Sequence, residues 1–470
     1  MLKPIARAMT MTGLMAALCL AGCAVQMPDT DEIMREVTPR SWSADVVQKG
    51  DPQTMQDYWR RWGDPTLIRL IEAAQKANPD VLTALASLRS ARASLTEANA
   101  ALWPSGRIGA DAETRRTGGS TRESYGADAE LSWTLNLAGG TWATRDAAVW
   151  NALAKELSLA DVREMIAAET AQAYINLRAA EEKLRVIKDS VENYAKTAKI
   201  AGWRAAAGLV SRSEAEDALV QLQTSQARIP ETEASVAGYR NTLARLTSMP
   251  ADSLALTSDA GIPTAPSGIA VFIPAETLMR RADVQSAIAR IRSSAESLRK
   301  AQTDYFPTLS LTGSVGTQAA TVGALGASGS GIAALPGALS MPVLNWGTLR
   351  AREESAAAAL DEAKAGYLSV ILKALEETDN ALQGIRSAEL REGSLAKALQ
   401  HARRTYELTD LEYRSGIGDY SMLLTAQRSL LNVEESVISN RASRSNQYVM
   451  LYRALGGAWD GRHSQIQMKE

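Results

Sequence analysis

The sequence predicts a mainly α-helical fold with a β-barrel portion, built as two tandem repeats of helix, β-hairpin, long helix and returning helix. Three observations predict it. The body of the chain is written twice. Apolar positions recur at heptad spacing along two very long stretches. Each copy also holds one segment of alternating residues around a glycine-rich middle.

The repeat is read directly. Ala84, Arg89, Ser90, Leu95, Ala98 and Pro104 recur 203 positions later as Ala287, Arg292, Ser293, Leu298, Ala301 and Pro307. Leu131, Ser132, Gly139, Gly208, Leu243 and Arg245 recur 208 positions later as Leu339, Ser340, Gly347, Gly416, Leu451 and Arg453. The five extra residues fall between Pro307 and Leu339, where Gly, Ala and Ser mark a loop tip that tolerates insertion. The copies span 65–248 and 275–455. A proline-bearing connector, 249–274, joins them, and 456–470 is a tail.

In each copy the first helix, about 65–102 or 275–304, stops before Trp103-Pro104 or Phe306-Pro307, because a residue before proline leaves the helical region. The hairpins follow at 105–137 and 307–345, flanking Gly118-Gly119 and the run from Gly323 to Gly331. The helical hairpins occupy 140–248 and 348–454. In the first, Ile166, Ala173, Ala180, Ile187 and Tyr194 are spaced by seven, with Thr170, Leu177, Leu184, Val191 and Ala198 as companions. The second keeps the series from Ala374 to Tyr406, broken by Glu392. Its return helix carries Leu430, Val437 and Leu451 with Arg444 as an exception. Pro230 is expected to kink the first return helix.

A helix of about 68 residues is about 100 Å long, more than a compact domain needs. It is also too long and too polar to be a membrane span, and no run of about 18 apolar residues follows Cys23. Any span has to be β. Four strands of about 10 residues are long enough to cross when tilted but cannot close a barrel, whereas several copies together can. Trp103 and Trp133 lie where indoles favour the membrane interface, though ordinary packing explains them equally.

The N-terminus reads as an address. Lys3 and Arg7 precede an apolar stretch from Ala8 to Leu20 that ends in Leu20-Ala21-Gly22-Cys23. This resembles a bacterial lipobox: residues 1–22 are removed and the Cys23 thiol takes a lipid. More than one acyl chain makes such an anchor stable. Residues 23–64 are then a lipidated extended segment. Nothing near Ala24 and Val25 resembles an inner-membrane retention signal.

Composition excludes several classes. With 51 Lys+Arg against 53 Asp+Glu, there is no net basic pull toward nucleic acid. Two His, about 60 residues apart, and one mature Cys rule against metal, haem and disulfide frameworks. No nucleophile elbow, phosphate loop or H-E-x-x-H motif is present, so an enzyme is not expected, and no cofactor beyond the lipid.

Five stretches are spread over the mature chain: Tyr58-Trp59-Arg60-Arg61-Trp62-Gly63-Asp64-Pro65, Arg280-Arg281-Ala282-Asp283-Val284, Tyr305-Phe306-Pro307-Thr308-Leu309-Ser310-Leu311-Thr312-Gly313, Tyr413-Arg414-Ser415-Gly416 and Leu423-Leu424-Thr425-Ala426-Gln427-Arg428. Together they resemble the TolC-like outer-membrane factor family, in its lipoprotein NodT/OprM-type branch. The resemblance implies a homotrimer whose 12 strands form one barrel in the outer membrane and whose helices form a periplasmic tunnel. It implies a passive efflux channel, fed by a periplasmic adaptor and an inner-membrane pump of the resistance–nodulation–division class. It places adaptor docking at the helical turns, here Gly208, Leu209, Val210, Gly416, Ile417 and Gly418. Relatives often have Asp where this chain has Thr425, so Asp419 and Arg428 are the remaining aperture candidates beside Thr425. At the strand-to-helix corner, Asn136-Leu137-Ala138-Gly139 replaces an acid and an aromatic, which is expected to alter packing only. The alternatives are a channel for type I secretion and a non-conducting coiled-coil envelope lipoprotein.

Overall fold

The computed structural model describes residues 29–42, 57–256, 261–266 and 274–459. Cys23 and the leader before it lie outside the described residues. The fold is mainly helical with one sheet. Its elements are α1 (Thr30–Val37), α2 (Pro65–Ala77), α3 (Pro79–Ala100), β1 (Ser105–Thr117), β2 (Ser120–Asn136), α4 (Gly140–Ala206), α5 (Arg212–Thr247), α6 (Pro274–Arg280), α7 (Ala282–Thr303), β3 (Thr308–Ala319), β4 (Gly331–Ala334), β5 (Gly337–Ser340), α8 (Trp346–Ser415) and α9 (Tyr420–Ala454). Among the described residues no helix is long and apolar enough to cross a membrane.

Four local expectations need correction. The first helix of copy one is two helices. Asn78 is extended, its N–H donates to Ala74 O, its Oδ1 accepts from Asp80 N, and Pro79 starts the next helix. Copy two breaks at Arg281, also extended, which stands 203 positions after Asn78. Thus the break is itself repeated, with different residues making it. The supposedly extended 23–64 segment contains α1, capped by Asp29, whose Oδ1 accepts from Asp31 N and Glu32 N. Met34 of α1 is buried against α7 and α8. Finally, the return strand of the second hairpin is divided into β4 and β5 at Leu335-Pro336. Pro230 lies inside α5, which runs on through it.

The heptad series is buried as packing requires: Ile166, Ala173, Ala180, Ile187 and Tyr194 are all in the interior. Its two offending residues meet each other. Arg444 Nη1 stands 2.9 Å from Glu392 Oε2, so two polar interruptions on facing helices form one ion pair. The largest apolar cluster lies where α2, α4, α5 and α9 converge. There Tyr58 stacks on Tyr452 at 4.3 Å between ring centroids and donates to Tyr448 O at 2.7 Å. Tyr174 of α4 donates to Asp64 Oδ2 at 2.9 Å, while Asp64 Oδ1 caps α2. This girdle braces the long helices part-way along, and they continue to a separate cluster at their far end.

Candidate functional site: a two-faced sheet and a helical tip

The two hairpins form one antiparallel sheet in the order β1, β2, β3, then β4 and β5 together on the far side of β3. Thr117 pairs with Ser120 across Gly118 and Gly119, both at positive φ, which gives the two-residue turn that matches strand twist. Trp133 Nε1 donates to Leu102 O, tying β2 to the end of the first helical segment.

Directly paired residues share a face, and the register sorts the strands into two unlike faces. Ile108, Ala129, Val315 and Ala333 stand in one row; Trp133, Leu311 and Gly337 in another; Leu135, Leu309 and Leu339 in a third. Between Gly106 and Ala112 on β1, and Tyr125 and Leu135 on β2, this face carries no charge. It is nonetheless exposed: Ile108 is 90% accessible and Leu335 81%. Between the same bounds the opposite face of β1 and β2 carries Arg107, Asp111, Asp128 and Glu130 among Ser, Thr and Gly. An apolar row about 11 residues long, open on one side of a twisted sheet, is what a lipid-facing band requires.

Among the described residues both outer edges are unpaired. Gln318 N donates to Ser330 O and Thr312 N to Pro336 O, so even-numbered residues of the return strand point their backbone groups at β3. The odd-numbered ones, Gly331, Ala333, Leu335, Gly337 and Leu339, point theirs outward. On β1 the closing pair Thr117–Ser120 turns odd residues toward β2 and leaves Gly106, Ile108, Ala110 and Ala112 facing out. Both sets of outward residues lie on the apolar face. Pro336 interrupts the return strand because its missing N–H falls on the inner ladder, while the outer edge keeps its donors. Natural edge strands are usually blunted, and this one is left competent to pair.

At the opposite end the helices turn back. Gly208 (φ 71°) and Gly416 (φ 85°) take the left-handed conformation that ends α4 and α8. Leu209 N donates to Arg204 O, and Ile417 N and Gly418 N both donate to Glu412 O. A Cβ on Gly418 would stand 2.7 Å from Tyr413 N, so only glycine closes this turn. Leu209 and Ile417 are exposed at 71% and 84%, and Val210 is half-buried.

Asp419, Thr425 and Arg428 are all exposed, but they do not meet. Asp419 caps α9: its Oδ1 accepts from Ser421 N at 2.7 Å, which holds its carboxyl below the usual range. The Thr425 hydroxyl donates to Ser421 O within its own helix. Arg428 reaches across to the first hairpin, with Nε donating to Gln221 Oε1 at 2.9 Å. Two further ties join the hairpins here. Tyr413 donates to Glu214 Oε1 at 3.2 Å, and Gln427 Nε2 to Thr197 Oγ1 at 3.1 Å. Arg204 also covers the Tyr413 ring at 4.9 Å. Sequence reading missed Gln221, Glu214, Thr197 and Tyr413 as partners, because the pairs are some 200 or more residues apart in the chain. Among the described residues no group of three or more His, Cys, Asp or Glu could hold a metal ion.

The family described as outer membrane efflux protein matches residues 70–248 and 273–457. The chain belongs to the outer membrane efflux protein family. Each matched stretch takes in one copy of the repeat, and the gap falls within the connector. Among relatives, the outer membrane efflux protein chain is 27% identical over 456 residues to the pyoverdine export outer membrane protein OpmQ of Pseudomonas putida, covering 94% of this chain and 96% of OpmQ. It is 28% identical over 475 residues to outer membrane protein OprJ of Pseudomonas aeruginosa, covering 97% of each. The solved outer-membrane channel OprN superposes with a TM-score of 0.81 at 26% identity, over 93% of this chain and all of OprN. An outer membrane efflux protein belongs in the outer membrane, and among the described residues the sheet, not a helix, is the element whose exposed apolar band suits lipid.

Proposed function

We propose that three copies of this chain close a 12-stranded barrel and form a passive export conduit, with a helical tunnel continuing into the periplasm. The observation that carries the proposal is the edge chemistry of the sheet. The residues with outward backbone groups lie on the same apolar face at both edges. An antiparallel seam between β1 of one copy and β4–β5 of the next then joins apolar face to apolar face with no side chain turned the wrong way. A single sheet with those edges open cannot rest in lipid. The chain needs no catalytic group or cofactor for this role; the energy comes from a pump in the inner membrane, reached through a periplasmic adaptor.

The exposed Leu209 and Ile417, framed by Val210, Gly208, Gly416 and Gly418, suit apolar docking of that adaptor. The ties at Arg428–Gln221 and Tyr413–Glu214 hold the two hairpins together at the end where the helices turn back. A hydrogen bond to a charged group contributes about 1.5–3 kcal/mol, so losing both ties shifts an open–closed balance about tenfold or more. Arg428→Ala combined with Tyr413→Phe is accordingly expected to raise the open fraction of single channels at least about tenfold. An open fraction unchanged from wild type would remove these contacts from the closure.

The lipid reading of Cys23 stands on the leader sequence. Intact-mass analysis of membrane-extracted protein is expected to find residues 1–22 absent and acyl chains added, and Cys23→Ser to carry no lipid. An unmodified Cys23 in the mature wild type would end that reading.

A further inference from the structure

Resting on the conduit reading above and deepening it, we infer that the barrel wall biases this channel toward cationic solutes, through Asp111 and Asp128. Both lie on the polar face of the sheet, which becomes the lumen once the apolar face meets lipid.

The register makes room for them. Asp128 stands between Gly109 and Gly316 on its neighbouring strands, and Asp111 stands opposite Gly126. A Cβ at 109 would lie 3.2 Å from Asp128 Oδ1, one at 126 would lie 2.5 Å from Asp111 Oδ1, and one at 316 would lie 2.9 Å from Asp128 Cβ. Three glycines thus leave the space that two carboxylates occupy. Glycine weakens a strand interior, so its use here marks a close approach.

Charge accounting on this face gives the sign. Within the band, Arg107 and Glu130 pair at 2.9 Å and cancel. Among the described residues neither Asp111 nor Asp128 makes a contact ion pair or a side-chain hydrogen bond, and the Arg107 charge reaches Asp128 only at longer range than its pair with Glu130. β3, β4 and β5 carry no charged residue. Within the band each chain therefore carries a net charge of two negatives, and a three-chain barrel carries six around one lumen. Nearer the hairpin turn, Glu113, Arg115 and Arg122 sum to one positive charge per chain at the solvent-open mouth, where screening is strongest. Low-dielectric lipid around the wall concentrates the field of the inner six along the path. No ion is held in place; the effect is a potential along an open conduit. At the helical tip, by contrast, Thr425 stands as the uncharged member of the aperture candidates, and the Asp419 carboxylate is engaged by the Ser421 N–H.

The test is the reversal potential of purified channels in a planar bilayer under an about tenfold KCl gradient. At about 0.1 M salt the Debye length is about 10 Å, and the wild type is expected to show a potential of cation-selective sign. Near 1 M the Debye length is about 3 Å and that potential is expected to shrink. The isosteric double variant Asp111→Asn, Asp128→Asn is expected to move it most of the way to zero while discrete conductance steps persist. Ser314→Lys, a positive charge added beside Glu130 on the same face, is expected to reduce it independently. A double variant that keeps the wild-type potential would overturn the inference, as would Asp419→Ala abolishing it in its place. A wild type with no conductance at all would overturn the conduit reading beneath it.

Discussion

Ala333→Pro is expected to abolish assembly and conductance together. Ala333 sits on β4, opposite Val315, with its N–H directed away from β3 toward the free edge. Proline there removes a donor from the seam and puts a ring where the neighbouring strand must lie. The native Pro336 supplies the contrast. It is three positions along the same strand, yet its missing N–H faces inward, so the seam is untouched. Ala333→Thr keeps the donor and a strand-compatible side chain, and is expected to assemble. Native mass in mild detergent reads the outcome: monomer for the proline variant, trimer for wild type and threonine variant. Trimers of wild-type yield from Ala333→Pro would place the seam elsewhere.

Arg281→Met is expected to destabilise the protein by about 3 kcal/mol, the lower end of the cost of breaking a buried pair, because the cation is buried while its two carboxylates keep some contact with water. The Arg281 side chain is 4% exposed at the break between α6 and α7. It donates to Asp283 and to Glu377 of α8, each at 2.8 Å, and to Ala454 O at the end of α9. It therefore ties three elements at one point. Asp161 and Glu164 nearby are pushed up by burial. Asp283 is half-buried, which alone would raise it, but the hydrogen bonds and charge of Arg281 hold it below its ordinary value. A depressed carboxyl contributes stability that is present above its unfolded pKa and lost as pH falls through its folded one. The gap between wild type and Arg281→Met is thus expected to be widest near neutral pH and to narrow in acid, measured by thermal unfolding or by protease resistance. A pH-independent gap would assign the loss to packing alone.

The long helices and the doubled plan were legible because they rest on periodicities: a heptad seam, and matching residues at offsets of 203 and 208. The interruptions were less legible, for physical reasons. Pro79 signals a helix start, but the matching break at Arg281 has no local signature; it depends on carboxylates that arrive from α8 and on a carbonyl from α9. Glu392 and Arg444 each look like a flaw until the helices are antiparallel and in register. Asp29 with Asp31 and Glu32 behind it is a readable helix start, and α1 was missed because its burial comes from Tyr367 and its neighbours in the second copy. Pro336 is visible in the sequence, but whether it blocks an edge depends on which side of the strand its nitrogen faces. At the tip, the cap role of Asp419 was readable from its place before α9, whereas the partner of Arg428 depends on the rotation of two hairpins about each other.

The most direct test of the account is made on mature protein extracted from the outer membrane in mild detergent, weighed in its native state and then placed in a planar bilayer. A mass of three chains with discrete conductance steps is the result predicted by two complementary sheet edges and one charge-free apolar band. A monomer that conducts nothing would contradict the shared barrel, and with it the conduit.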